Sequence, residues 1–191
     1  MSDKAAKKKQ YILDTAKNVF SKQGFKNVTM KDIVEACEIS RGGLYIYFDS
    51  TEAIFEEILK QDCHDCSMPN VGDESKGQEL AVFLQEEKKA ILLNQDDLTV
   101  AVYEYLFKKH AEGTAENVLK PVFDSKVELV SKILEEGVEA GDFYCDDTLA
   151  AARNIMYVIE GLKIAAKTYG VTESDIDTEF VYILSGLIAE E

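Results

Sequence analysis

Proline occupies only two of 191 positions, Pro69 and Pro121. Proline breaks a helix interior, because it lacks an N–H and its ring collides with the preceding turn. Its scarcity leaves long segments free to run as uninterrupted helix, and apolar residues recur along them with a helical period. Ile12, Ala16, Val19 and Phe20 fall at i, i+4, i+7 and i+8. Met30, Ile33, Val34 and Cys37 form a second stripe, and Ile54, Phe55, Ile58 and Leu59 another. No segment shows sustained apolar–polar alternation between hairpin turns, so no sheet is expected. The chain reads as all-α with about nine helices.

Local signals set the boundaries. Gly24 ends the first helix, since glycine accepts a left-handed conformation there. Thr29 caps the second, with Asp32 three residues on as the weaker form of a capping-box partner. Ser40 caps a helix of barely two turns, Arg41 to Phe48. Asp49 and Glu52 form a further capping pair. Residues 67–77 hold Pro69, two glycines and small polar residues, and read as the clearest loop. Helices are expected near 78–93, 97–112, 121–140, 147–169 and 173–189. Pro121 suits a first turn. Gly141 and Gly170 act as stops, and Thr172 with Asp175 caps the last helix.

The first two short helices and the tight break between them have the proportions of a helix-turn-helix. Its second helix must expose short or flat side chains, so that the backbone approaches base edges. Arg41, Gly42, Gly43, Tyr45 and Ile46 are the exposed positions there, with Tyr47 at the edge. Glycine costs about 1 kcal/mol against alanine inside a helix, so two in succession ask for a reason. Close approach to DNA supplies one, and a plain loop is the alternative. Leu44 and Phe48 read as core.

Charge divides along the chain. The net charge is −15, which taken alone argues against binding a polyanion. Residues 1–50, however, carry nine Lys/Arg and six Asp/Glu, a net of +3, and residues 51–191 carry −18. The Debye length at physiological salt is about 8 Å, so an acidic body tens of ångströms from DNA is largely screened. The division expected is a DNA-binding segment over 1–50 and a second domain over 51–191.

The segment TMKDIVEACEISRGGLYIYFDSTEAIF resembles the N-terminal signature of the TetR family of transcription regulators. The match covers about residues 8–60. It includes Gly24-Phe25, Thr29, Leu44-Tyr45-Ile46-Tyr47-Phe48, Ser50 and Glu52; EGVEAGDF at 136–143 is a weaker match further on. The resemblance implies an N-terminal three-helix reading head and a C-terminal helical domain for effector binding and dimerisation. It implies a regulator, a repressor by type, released from operator DNA by a small molecule. Thr29 and Lys31 then meet phosphates, and Tyr45 and Tyr47 meet phosphates, sugar or thymine methyls; Tyr47 is alternatively core. Arg41 is placed to bind guanine O6 and N7 in bidentate fashion. Thr51 stands where the family usually has a phosphate-binding lysine, so one cation is lost. Lys7, Lys8 and Lys9, read as lying just ahead of the first helix, either follow the DNA or form a solvated tail. The resemblance further implies a homodimer through the last two helices and a near-palindromic operator. Leu149, Ala152, Ile155, Ile159, Leu162 and Ala166 form one apolar stripe there. Ile176, Phe180, Ile183, Leu184 and Leu187 form another.

Phe83, Tyr103, Phe107, Phe123 and Tyr157, with Tyr105, either line an effector pocket or fill ordinary core. Glu104 and Glu160 would favour a cationic lipophilic ligand if buried beside aromatics. Cys63 and Cys66, flanking His64 and Asp65, raise an alternative: a redox- or metal-sensing helical protein without specific DNA recognition. No second ligand pair stands beside them. Two histidines, no nucleophile motif and no phosphate loop give no support to an enzyme, and no cofactor motif is present. No apolar run reaches the roughly 20 residues of a membrane span. Four cysteines without a secretory signal point to a reducing cytoplasm.

Overall fold

The computed structural model describes residues 3–62, 75–93, 98–113 and 120–187. Among these residues there are nine helices and no strand. They are α1 (Asp3–Gln23), α2 (Met30–Ala36), α3 (Arg41–Tyr45), α4 (Thr51–Asp62), α5 (Lys76–Leu93), α6 (Thr99–Glu112), α7 (Lys120–Ala140), α8 (Thr148–Thr168) and α9 (Glu173–Ser185). They form two compact units. One contains α1–α4 and α6; the other contains α5 and α7–α9. The N-terminal unit therefore extends beyond residues 1–50, because α4 and α6 share its core.

That core is aromatic. Phe20 of α1, Phe25 of the following turn, Phe55 of α4 and Tyr105 of α6 meet with ring centroids 4.8 to 6.0 Å apart. Ile12, Ala16, Ile33, Leu44, Ile54 and Ile58 close around them. Tyr105 is almost wholly buried, and its hydroxyl donates to Glu56 Oε1 at 2.7 Å. Burial, and then the Glu56 carboxylate, push the Tyr105 phenol above its ordinary range, so it stays a neutral donor.

Local starts and stops follow the sequence at most positions, and differ at three. Thr29 and Asp32 make a reciprocal capping box, and so do Thr172 and Asp175. The third helix is shorter than Arg41 to Phe48. After Tyr45 the chain tightens, with Tyr47 N–H donating to Leu44 O at 2.9 Å. A bond three residues back replaces the α-helical one four back, and it turns Phe48 into the core. The fourth helix is capped by Ser50 rather than Asp49: Ala53 N–H donates to Ser50 Oγ at 3.1 Å. Lys7 to Lys9 lie within α1, which begins at Asp3.

The C-terminal unit has an apolar core of Leu80, Phe83, Leu84, Val130, Leu134, Ala152, Ile155, Ile159, Ile176 and Phe180. Two charged residues of α5, Glu87 and Lys88, are buried beside it. Glu87 of α5 is 7% exposed and pairs with Lys126 of α7 and, at 3.0 Å, with Lys163 of α8. The adjacent Lys88 reaches Glu173 and Asp177 of α9 at 2.9 and 2.5 Å. Two neighbouring residues of α5 thus tie it to the other three helices of the unit.

Burial raises the Glu87 pKa, but Lys163 and Lys126 outweigh it, and the carboxyl lies below its ordinary value. A lowered folded-state pKa stabilises the fold above the unfolded value, and that contribution disappears as pH falls through the folded value. Removing one partner of a buried pair costs about 3–5 kcal/mol, because the remaining charges lose their compensation. Glu87→Ala should therefore lower stability by about that amount in denaturant titration. The variant should also lack part of the wild-type loss of stability on acidification below about pH 4.3, the unfolded glutamate value.

Candidate DNA interface

The interface is built from α2, the turn after it, and α3. Thr29 stands exposed at the head of α2. Its hydroxyl and N–H both engage Asp32 Oδ2, at 2.6 and 2.8 Å. Lys31 is exposed and makes a weak pair with Glu35 one turn on, at 3.5 Å. The turn places Glu38 at φ +52°, a left-handed conformation unusual for a residue with a Cβ. Ser40 then caps α3 through Gly43 N–H at 3.1 Å.

Leu44 is fully buried and fixes one side of α3 to the core. The opposite side exposes Arg41, Gly42, Tyr45 and Ile46. The Arg41 guanidinium lies over the Tyr45 ring, 5.5 Å from its centroid. Stacking holds the planar guanidinium without consuming its fork of donors. An open depression of about 540 Å³ runs between the two helices, lined by Thr29, Met30, Lys31, Val34, Glu35 and Arg41. A Cβ built on Gly42 would meet nothing within 4 Å, so Gly42 leaves a bare stretch of helix facing solvent. Gly43 is constrained from inside: its Cβ would lie 3.1 Å from the capping Ser40 Oγ.

The remaining residues assigned to DNA fall close by. Tyr47 is half-buried and packs against the core, so its ring serves the fold. Thr51 opens α4 and is half-buried. Lys9 is engaged: it pairs with Glu57 and lies over the Phe48 ring at 5.6 Å.

The residues read as an effector pocket do not gather in one unit. Phe83 is buried core of the C-terminal unit, where Phe123 stacks on Tyr157 at 5.3 Å. Tyr103 and Phe107 lie on α6 in the N-terminal unit, and Phe107 is 67% exposed. Glu104, also on α6, accepts the Lys26 backbone N–H at 3.0 Å. Its carboxylate also lies against Gly24, where a Cβ would come within 2.6 Å of Oε2. Glu104 thus secures the turn between α1 and α2. Sequence spacing gave no signal for this contact across 78 positions. Glu160 pairs with Lys163 at 3.0 Å. Both carboxylates are half-buried, Glu104 on a backbone N–H and Glu160 on an ion pair. Cys63, His64, Asp65 and Cys66 lie outside the described residues.

Comparison with known proteins decides the family. Residues 12–58 match the profile of bacterial regulatory proteins of the tetR family. Residues 79–177 match that of the tetracyclin repressor-like C-terminal domain. The chain belongs to the TetR family. It is a DNA-binding transcriptional regulator, and the helix-turn-helix of α2 and α3 is its reading head. The HTH-type transcriptional regulator YfiR of Bacillus subtilis is 28% identical, over 97% of this chain and 94% of that protein. The HTH-type transcriptional regulator QacR of Staphylococcus aureus is 26% identical, over 81% of this chain and 83% of that protein. Among solved structures, reduced Escherichia coli NemR shares the fold with a TM-score of 0.77 at 15% identity, over 96% of this chain and all of that one. A TetR-family regulator from Agrobacterium tumefaciens has a TM-score of 0.78 at 15% identity, over 96% of this chain and 99% of that one.

Gly42 makes separable predictions for stability and for binding. Gly42→Ala should keep or raise stability, by up to about 1 kcal/mol, because alanine is the better helix former and meets no neighbour. Its operator affinity should fall about ten-fold or more, the scale of one displaced bidentate base contact. Thermal melts paired with a binding titration separate the two effects.

Proposed function

We propose that this TetR-family regulator is a homodimeric repressor that reads a near-palindromic operator through Arg41 and is released by a small-molecule effector. The stacked, exposed Arg41 beside the bare backbone of Gly42 carries the reading. A guanidinium that lies over a ring and pairs with no carboxylate among the described residues presents the fork that guanine O6 and N7 accept. Lys31, Tyr45 and the hydroxyls of Thr29 and Thr51 supply contacts to the sugar–phosphate backbone, which fix register without reading sequence. Few cations face the DNA, so affinity should depend less steeply on salt than in a strongly basic binder.

The dimer uses α8 and α9. The stripes read from sequence mostly pack inward: Ala152, Ile155, Ile159, Ile176 and Phe180 are buried within one chain. Leu149, Tyr157, Gly161 and Ile164 share an adjoining exposed face of α8, and Val181 and Tyr182 stand exposed on α9. That apolar surface suits a two-fold contact. Two heads so joined would enter successive major grooves about 34–36 Å apart. The effector site belongs to the C-terminal unit, whose profile match is to the repressor-like C-terminal domain. A ligand that binds the form with misplaced heads shifts the population away from DNA. The protein works in the cytoplasm and catalyses no reaction.

Arg41→Ala should abolish the electrophoretic shift on the selected operator duplex while leaving the circular dichroism and the oligomeric state unchanged. Arg41 is exposed, so the fold does not need it. A normal shift by this variant contradicts the assignment.

A further inference from the structure

Ile46 is 79% exposed. In the same unit Ile12, Ile33, Ile54 and Ile58 are at most 2% exposed. A β-branched apolar side chain standing in water at the end of the reading head contributes nothing to the core. It lies one helical turn after Gly42, and its N–H donates to Gly42 O at 3.2 Å. Side chains of a helix lean back over the preceding turn. Ile46 thus stands one turn on from the residue that has no side chain, and no group, Ile46 included, lies within 4 Å of a Cβ built on Gly42. Arg41 and Tyr45 occupy the neighbouring ridge of the same exposed face.

We infer that Ile46 reads the C5-methyl group of a thymine in each operator half-site. The inference rests on the reading of this face as the DNA interface. Phosphates and the hydrogen-bonding edges of bases are polar, and isoleucine offers them no partner. The one apolar group displayed on the floor of the major groove is the thymine methyl. Gly42 gives that methyl access to Ile46, since a side chain there would hold the helix off. The recognition face then divides its work. Arg41 reads a guanine by hydrogen bonds, and Ile46 distinguishes thymine from cytosine, which carries no methyl, by contact.

Deoxyuridine isolates the contact, because it keeps thymine's hydrogen bonds and lacks only the methyl. A duplex is first selected by the wild-type protein from a random-sequence pool. Each thymine of that duplex is then replaced singly by deoxyuridine, and affinities are measured for the wild type, Ile46→Ala and Ile46→Val. For the wild type, a replacement in one half-site should weaken binding about four-fold, and about fifteen-fold when both half-sites are changed, the scale of one buried methyl in each. Ile46→Ala should be insensitive at that position and normally sensitive elsewhere, and Ile46→Val should fall between. If no thymine replacement weakens wild-type binding, or Ile46→Ala keeps the same sensitivity, the inference is overturned and the DNA-binding reading stands. If the wild type selects no duplex at all, the underlying reading of the face fails with it. The exposure of Ile46 means that neither variant should disturb the fold.

Discussion

The contact among Phe20, Phe25, Phe55 and Tyr105 is what the reading head depends on. A two-helix motif with a five-residue second helix cannot bury enough surface to stand alone. The rings join α1, the turn after it, α4 and α6 into one core, and α2 and α3 are laid on that core through Ile33, Leu44 and Phe48. Polar contacts then fix the angle of the turn. Glu104 holds the Lys26 N–H, and Lys108 reaches Glu52 at 2.9 Å while lying over the Phe25 ring. The exposed face of α3 is therefore presented by a rigid base, although α3 itself is short and begins with two weak helix formers.

The charge of the chain is consistent with this arrangement. The acidic residues of α4 that lie nearest the head are not free to repel a phosphate. Glu52 pairs with Lys108 and Lys109, and Glu57 pairs with Lys9. The hydrogen bond from Lys108 is the main reason that Glu52 stays ionised below its usual range. What remains near DNA is a small set of exposed groups, Lys31 and Arg41 foremost. Such a head gains little from non-specific attraction, and that favours selectivity over coating.

Most of the local structure was legible because its signals are local. Thr29 with Asp32, Ser40, Gly24 and Thr172 with Asp175 each act within a few residues, and each does what its chemistry dictates. The apolar period likewise marked Leu44 and Phe48 as core. What escaped were contacts between residues far apart in sequence. Tyr105 finds Glu56 across 49 positions, and Glu104 finds Lys26 across 78. Period alone could not reveal that α4 and α6 complete the N-terminal unit, nor that Glu104 serves the turn. Period also shows which face of α8 is apolar without saying what covers it. The stripe through Ile155 and Ile159 proved to be internal, and the exposed apolar residues lie beside it. Sequence alone leaves Tyr47 open between core and phosphate, since a tyrosine at the edge of a motif suits both, and its half-buried ring packs against the core.

The central claim is that DNA is met by α2, the turn, α3 and the first residue of α4. Hydrogen exchange of the full-length protein, with and without a duplex selected from a random pool, tests it most directly. The account predicts slowed exchange over residues 29–51 on adding the duplex, centred on 40–46. Unchanged exchange over 29–51, with protection confined to α7, α8 or α9, would contradict it.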